Sequence, residues 1–151
     1  MKKIIMLFAF LCLLNSNVFC QETDIEFVDT ELNIDVDESV FVHNLKNSYF
    51  TENESAAMQF SLIPESYDEL KNRMMSSEKK GFKKEITIDS VKVLLVKTTQ
   101  TKENNEYTIA VYCKRINSNS TLVLNSFYQT KEKLKMRPLI EKALLSAKIK
   151  E

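Results

Sequence analysis

Residues 85–127 restrict the possible folds more than any other stretch. They hold four β-type runs: Glu85-Ile-Thr-Ile, Val91-Lys-Val-Leu-Leu-Val-Lys97, Glu106-Tyr-Thr-Ile-Ala-Val-Tyr-Cys-Lys114 and Thr121-Leu-Val-Leu-Asn-Ser-Phe127. Short polar joints separate them at Asp89-Ser90, residues 101–105 and residues 117–120. Joints this short connect neighbouring strands, so the stretch predicts a consecutive antiparallel meander. Ile86 and Ile88 face inward. Residues 91–96 are apolar on both faces, which places that strand where something packs on each side. Tyr107, Ile109, Val111 and Cys113 share one face of the next strand, and Ala110 and Tyr112 the other. Leu122 and Leu124 alternate with Val123 and Phe127 in the last.

A helical pattern lies on either side of the meander. Before it, Ser66-Tyr-Asp-Glu69 is a capping box, with serine as N-cap and glutamate three residues on. Asp68 and Glu69 complement the helix dipole there. Tyr67, Leu70, Met74 and Met75 supply an apolar stripe, and Gly81 is the expected stop. After the meander, Arg137-Pro138 predicts a helix start. Leu139, Ile140, Ala143, Leu144 and Ala147 form its apolar face, with Glu141, Lys142 and Lys148 outside.

Upstream, Leu32, Ile34 and Val36 alternate with Asn33, Asp35 and Asp37, a period-two strand with one wet face. Residues 40–43 extend it, Lys46-Asn-Ser48 turns the chain, and Tyr49-Phe50 and Ala56–Ile63 add two short strands. In the second, Met58, Phe60 and Leu62 point one way, and Pro64 ends it because proline cannot donate to a ladder. The expected fold class is therefore α+β, an antiparallel sheet with one helix before its meander and one after.

The first residues concern destination. Lys2 and Lys3 precede an unbroken apolar run over residues 4–14 and a polar stretch. This is the pattern of a secretory signal peptide over residues 1–20, cleaved between Cys20 and Gln21. The run is too short for a permanent membrane span, which needs roughly 20 residues. Lipidation at Cys20 is the alternative, and Phe19 departs from the small residue that signal wants. Removal of 20 residues leaves 131 of 151, enough for one domain with an ordinary hydrophobic core. Residues 21–31 read as an acidic, flexible lead-in, and residues 32–151 as the domain. The location is then periplasmic or secreted.

Export also leaves one cysteine, Cys113, so packing rather than disulfides must hold the fold. On an apolar strand face it reads as a buried, inert thiol. The exported chain has 19 bases and 21 acids, a net charge of −2, which lacks the basic excess of a nucleic-acid binder. The charge is unevenly spread. Residues 21–45 carry eight acids and no base, and the rest carries 19 bases against 13 acids. An acidic arm lying on or near a mildly basic body follows.

From residue 56 on, the strings Glu85-Ile-Thr-Ile-Asp-Ser-Val-Lys-Val-Leu-Leu, Asn105-Glu-Tyr-Thr-Ile-Ala-Val and Lys142-Ala-Leu-Leu-Ser-Ala-Lys-Ile149 resemble small exported bacterial proteins of the PsbP/Mog1-like superfamily. The resemblance implies an α/β/α sandwich. It also implies a non-enzymatic partner protein, since that superfamily shares no catalytic residues to carry over. This chain departs from it at Asp89-Ser90, where relatives often have glycine.

Candidate chemistry is sparse. His43 is the single histidine, and zinc needs at least three protein ligands. The single glycine, Gly81, excludes glycine-rich phosphate loops and stands beside no serine of a nucleophile elbow. Asp35, Asp37 and Glu38 offer oxygen ligands but lack the spacing of a calcium loop; a solvated strand edge also explains them. Asn53-Glu-Ser and Asn119-Ser-Thr match glycosylation acceptors and read as polar turns. No catalytic, cofactor or metal residues are assigned. Arg73, Lys79, Lys80, Lys83 and Lys84 form a basic corner where the first helix meets the sheet. It reads as a docking surface for an acidic envelope partner or an anionic lipid. The sequence therefore points to a non-enzymatic exported binding or accessory protein of the cell envelope. The alternative is a carrier of a small hydrophobic ligand between sheet and helix, lined by Met58, Phe60, Met74 and Met75.

Overall fold

The computed structural model describes Val28 and residues 30–78 and 81–150. The signal peptide, most of the acidic lead-in, Lys79 and Lys80 lie outside the described residues. The strands are β1 (Leu32–Asn33), β2 (His43–Leu45), β3 (Ser48–Phe50), β4 (Ala56–Ile63), β5 (Phe82–Ile88), β6 (Val91–Lys102), β7 (Asn105–Arg115), β8 (Thr121–Gln129) and β9 (Lys148–Ile149). Helix α1 (Tyr67–Ser76) falls between β4 and β5. Helix α2 (Lys133–Ser146) follows a 3-10 turn at Thr130–Glu132. Seven strands form one antiparallel sheet in the order β2-β3-β4-β8-β7-β6-β5, and β1 pairs with β9 in a separate two-stranded ribbon. The protein is α+β.

The meander from β5 to β8 is the expected one, with every neighbour antiparallel. Two of its hairpins close through two-residue turns with both central φ angles positive: Asp89 and Ser90 at 45° and 68°, Glu103 and Asn104 at 49° and 63°. That geometry matches the strand twist, and polar residues occupy the left-handed positions that glycine usually takes.

Strand alternation sorts the core into sets. Val93, Leu95, Ala110, Tyr112, Leu122 and Leu124 pack with Met136, Ile140, Ala143 and Leu144 of α2. Their sequence neighbours Leu94, Val111, Cys113 and Val123 pack with Tyr67, Leu70 and Met74 of α1. A third set, Phe50, Ala57, Ile109 and Phe127, lies on the α1 side. Each fully buried large aliphatic contributes about 1.5–3 kcal/mol.

The first helix begins as expected. Ser66 Oγ accepts from the Glu69 amide at 3.4 Å, and Glu69 Oε2 accepts from the Ser66 amide at 3.2 Å. Ser66→Ala should lower stability by about 1 kcal/mol, read as a shift in the urea midpoint with unchanged slope. The helix stops at Ser76, five residues before Gly81, because Ser77 is already extended with ψ 133°. Gly81 keeps its positive φ, 146°, for another reason: it leads into β5, and a Cβ there would sit 3.2 Å from the Lys97 carbonyl oxygen.

Three boundaries differ from the sequence reading. The strand expected over Leu32, Ile34 and Val36 pairs only at Leu32–Asn33, because its partner β9 is two residues long. Ile34 and Val36 still pack on the core, so the alternation is real without a ladder. Residues 40–43 give a buried Phe41 after a turn on Asp37, and the strand begins at His43. Helix α2 starts at Lys133, one turn before Arg137, and holds Pro138 in its interior. The apolar period there extends back to buried Met136, so packing outweighs the amide that proline lacks.

Two described acids of the N-terminal stretch, Glu31 and Asp35, meet the end of the chain. Asp35 pairs with Lys142 at 2.9 Å and Glu31 with Lys150 at 2.8 Å. The Asp35 amide donates to Ser146 Oγ at 2.9 Å, and Asn47 clamps the arm through the Leu32 amide and the Thr30 carbonyl.

Candidate functional site

The groups that most constrain one another on the surface meet where α1 crosses the β5–β6 hairpin. A cleft of about 280 Å³ is lined there by Tyr67, Asp68, Lys71, Glu85, Val91, Lys92 and Arg115. Tyr67 and Asp68 open α1, and Lys71 follows one helical turn on. The residues of β5 that face α1 supply Glu85. The Tyr67 hydroxyl donates to Glu85 Oε1 at 2.9 Å, and Lys71 Nζ donates to the same oxygen at 3.1 Å. Arg115 donates to Asp68 Oδ2 at 2.5 Å, and its guanidinium lies 5.5 Å from the Tyr67 ring centroid. Lys71 Nζ lies at the same distance from that ring.

These contacts set the proton affinities. The Tyr67 hydrogen bond, then Lys71, holds the Glu85 carboxyl below its usual range. Burial, reinforced by the Glu85 carboxylate, pushes the Tyr67 phenol up. The hydrogen bond from Arg115 lowers Asp68, and the one to Glu85 raises Lys71. Every shift moves away from neutrality, opposite to what a general acid or base needs. The cluster ties α1 to the hairpin and leaves Lys92 exposed at its rim, where its charge adds to the lowering of Glu85.

The basic corner is only partly assembled. Arg73 is engaged with Glu65 at 2.5 Å. Lys83 donates to the Ser77 carbonyl and so fastens the chain leaving α1. Lys84 is exposed and lies on the other side of the sheet, because consecutive strand residues point to opposite faces. Lys79 and Lys80 lie outside the described residues.

The remaining candidates are dispersed. His43 is exposed and lies 3.2 Å from Glu52. Asp37 accepts from the Ser39 hydroxyl and amide, which lowers its carboxyl, while Asp35 is taken by Lys142. Met58 and Phe60 are buried with the α2 set, Met74 with the α1 set, and Met75 is 48% exposed. The four do not line one space. Cys113 is fully buried with its Sγ 3.8 Å from the Met74 sulfur, and burial pushes its thiol up to about 12. It should resist a disulfide-exchange reagent in the native state and react fully in denaturant; native labelling within minutes would contradict that environment.

Lys114 was not singled out from the sequence. It is 7% exposed, and its Nζ donates to the carbonyls of Leu144, Leu145 and Ala147 at 2.7, 3.1 and 3.0 Å, capping the C-terminal end of α2. Its position gave the signal: it follows Ala110 and Tyr112 on the same inward face.

No family model and no curated protein matches the chain. Solved structures do. The chain is similar in fold to LpqN of Mycobacterium tuberculosis, a protein involved in cell envelope biogenesis, with TM-score 0.54 and 10% identity over 87% of this chain and 88% of that one. A structure from Bacteroides thetaiotaomicron matches with TM-score 0.52 and 10% identity over 80% of this chain and 42% of that one. At such identity the similarity is one of fold. Among the described residues no helix is long and apolar enough to cross a membrane.

Proposed function

We propose that this chain is an exported, non-enzymatic binding or accessory module of the cell envelope, with residues 32–151 built as the helix–sheet–helix sandwich of the PsbP/Mog1-like superfamily. The observation that carries this reading is the corner between α1 and the β5–β6 hairpin. Its charges pair with one another, Lys92 stands exposed at its rim, and Lys84 stands exposed on the opposite face of the same open sheet edge. Inward-paired charges make a rigid platform, and outward lysines recruit an acidic partner and steer its approach. The fold shared with LpqN, itself involved in cell envelope biogenesis, supports placement in the envelope.

The test is capture from envelope extract of the source cell by the tagged chain, compared with Lys83→Glu/Lys84→Glu. A stoichiometric partner that is lost at high salt and lost with the double variant is the expected result. The same partner retained by the variant would overturn the reading.

A further inference from the structure

Strand β5 ends the sheet, and no other strand covers it among the described residues. The two-residue turn at Asp89-Ser90 makes Ile88 and Val91 a hydrogen-bonded pair. Alternation along the unbroken register then turns the backbone groups of Phe82, Lys84, Ile86 and Ile88 toward β6. Those of Lys83, Glu85 and Thr87 point outward, and no described backbone group bonds to them. The edge is seven residues long with no proline and no bulge. An edge of this kind is a template for another strand. The opposite edge, β2, has three residues.

The side chains say what kind of strand fits. The hairpin over residues 82–97 carries four lysines (Lys83, Lys84, Lys92 and Lys97) against two acids, Glu85 and Asp89. Glu85 is already held by Tyr67 and Lys71. Lys83 and Lys84 flank the edge on its two faces, and the hairpin's excess of lysines over acids favours an incoming strand of net negative charge. On the α2 side, Phe82 is half exposed, and Ile86 and Ile88 are only partly buried, giving apolar contacts to every second residue of an incoming strand. We infer that β5 accepts an extended acidic segment of a partner protein, with alternating acidic and apolar residues, as an eighth strand of the sheet. This rests on the docking reading above and adds its geometry.

The probe is an acetylated, amidated heptapeptide alternating glutamate and valine, added to the purified chain and followed by amide hydrogen exchange. The expected result is slowing of exchange by about tenfold or more at Lys83, Glu85 and Thr87. The slowing should be absent with a peptide N-methylated on the paired edge and with a lysine–valine peptide. It should also be lost in Thr87→Pro, which removes only an outward donor and keeps the ladder to β6; an unchanged amide spectrum for the rest of the sheet verifies that the variant folds. Binding without protection of these three amides, no binding at all, or equal protection by phosphatidylglycerol vesicles would overturn the inference. These outcomes are separable from the docking reading, which stands or falls on capture by Lys83→Glu/Lys84→Glu.

Discussion

Lys114→Met should lower stability at neutral pH by about 2–3 kcal/mol, measured as a fall in the urea midpoint with unchanged slope. Methionine keeps the length and apolar stem of lysine but strands three carbonyls, those of Leu144, Leu145 and Ala147, at the buried end of α2. An ammonium there also opposes the negative end of the helix dipole. Burial lowers its pKa from the ordinary 10.5 to about 8. The sign follows from proton counts. Between about pH 8 and 10.5 the unfolded chain holds the proton and the folded chain has released it, so this group makes stability rise with pH across that window. Its contribution is fully present above the unfolded value and is lost as pH falls through 8. The gap between wild type and Lys114→Met should therefore widen from pH 7.5 to pH 10. A constant gap would mean that Lys114 titrates alike in both states.

Leu70→Ala and Leu144→Ala should each cost about 2–5 kcal/mol, the range for emptying a fully buried leucine site. Both side chains are inaccessible to solvent, one under α1 and one under α2. Their neighbours are alternate residues of the same strands and fall into separate sets. Effects of sites without shared partners add within about 0.5 kcal/mol. The double variant should thus lose the sum of the two, a large part of the roughly 5–15 kcal/mol that holds a domain together. Chemical denaturation of the four proteins checks this. A strongly sub-additive pair would mean that the helices share one core rather than packing on two faces.

Much of the scaffold was legible because its signals are local. Alternation assigned Ile109, Val111 and Cys113 to one face and Ala110 and Tyr112 to the other, and the observed clusters divide the same way. The Ser66–Glu69 capping box needs only a four-residue window. Boundaries that depend on a distant partner were not legible. The length of β1 is set by β9, some 115 residues on, and the early start of α2 by where Met136 meets the sheet. The corner was half legible. Counting lysines located it, but the sequence alone does not tell that Arg73 is taken by Glu65 or that Lys83 is tied to Ser77. The Tyr67–Glu85–Lys71 cluster escaped notice because its members come from two elements and each has an ordinary local role.

The most direct test of docking at the β5 edge is photocrosslinking in intact envelopes, with benzoylphenylalanine placed at exposed Thr87 or, as a control, at Leu134, which is 91% exposed on α2. Docking at β5 predicts one discrete protein adduct from position 87, lost when Lys83→Glu/Lys84→Glu is added, and none from position 134. An adduct from 134 alone, or none from 87 in envelopes that hold the chain, would contradict it.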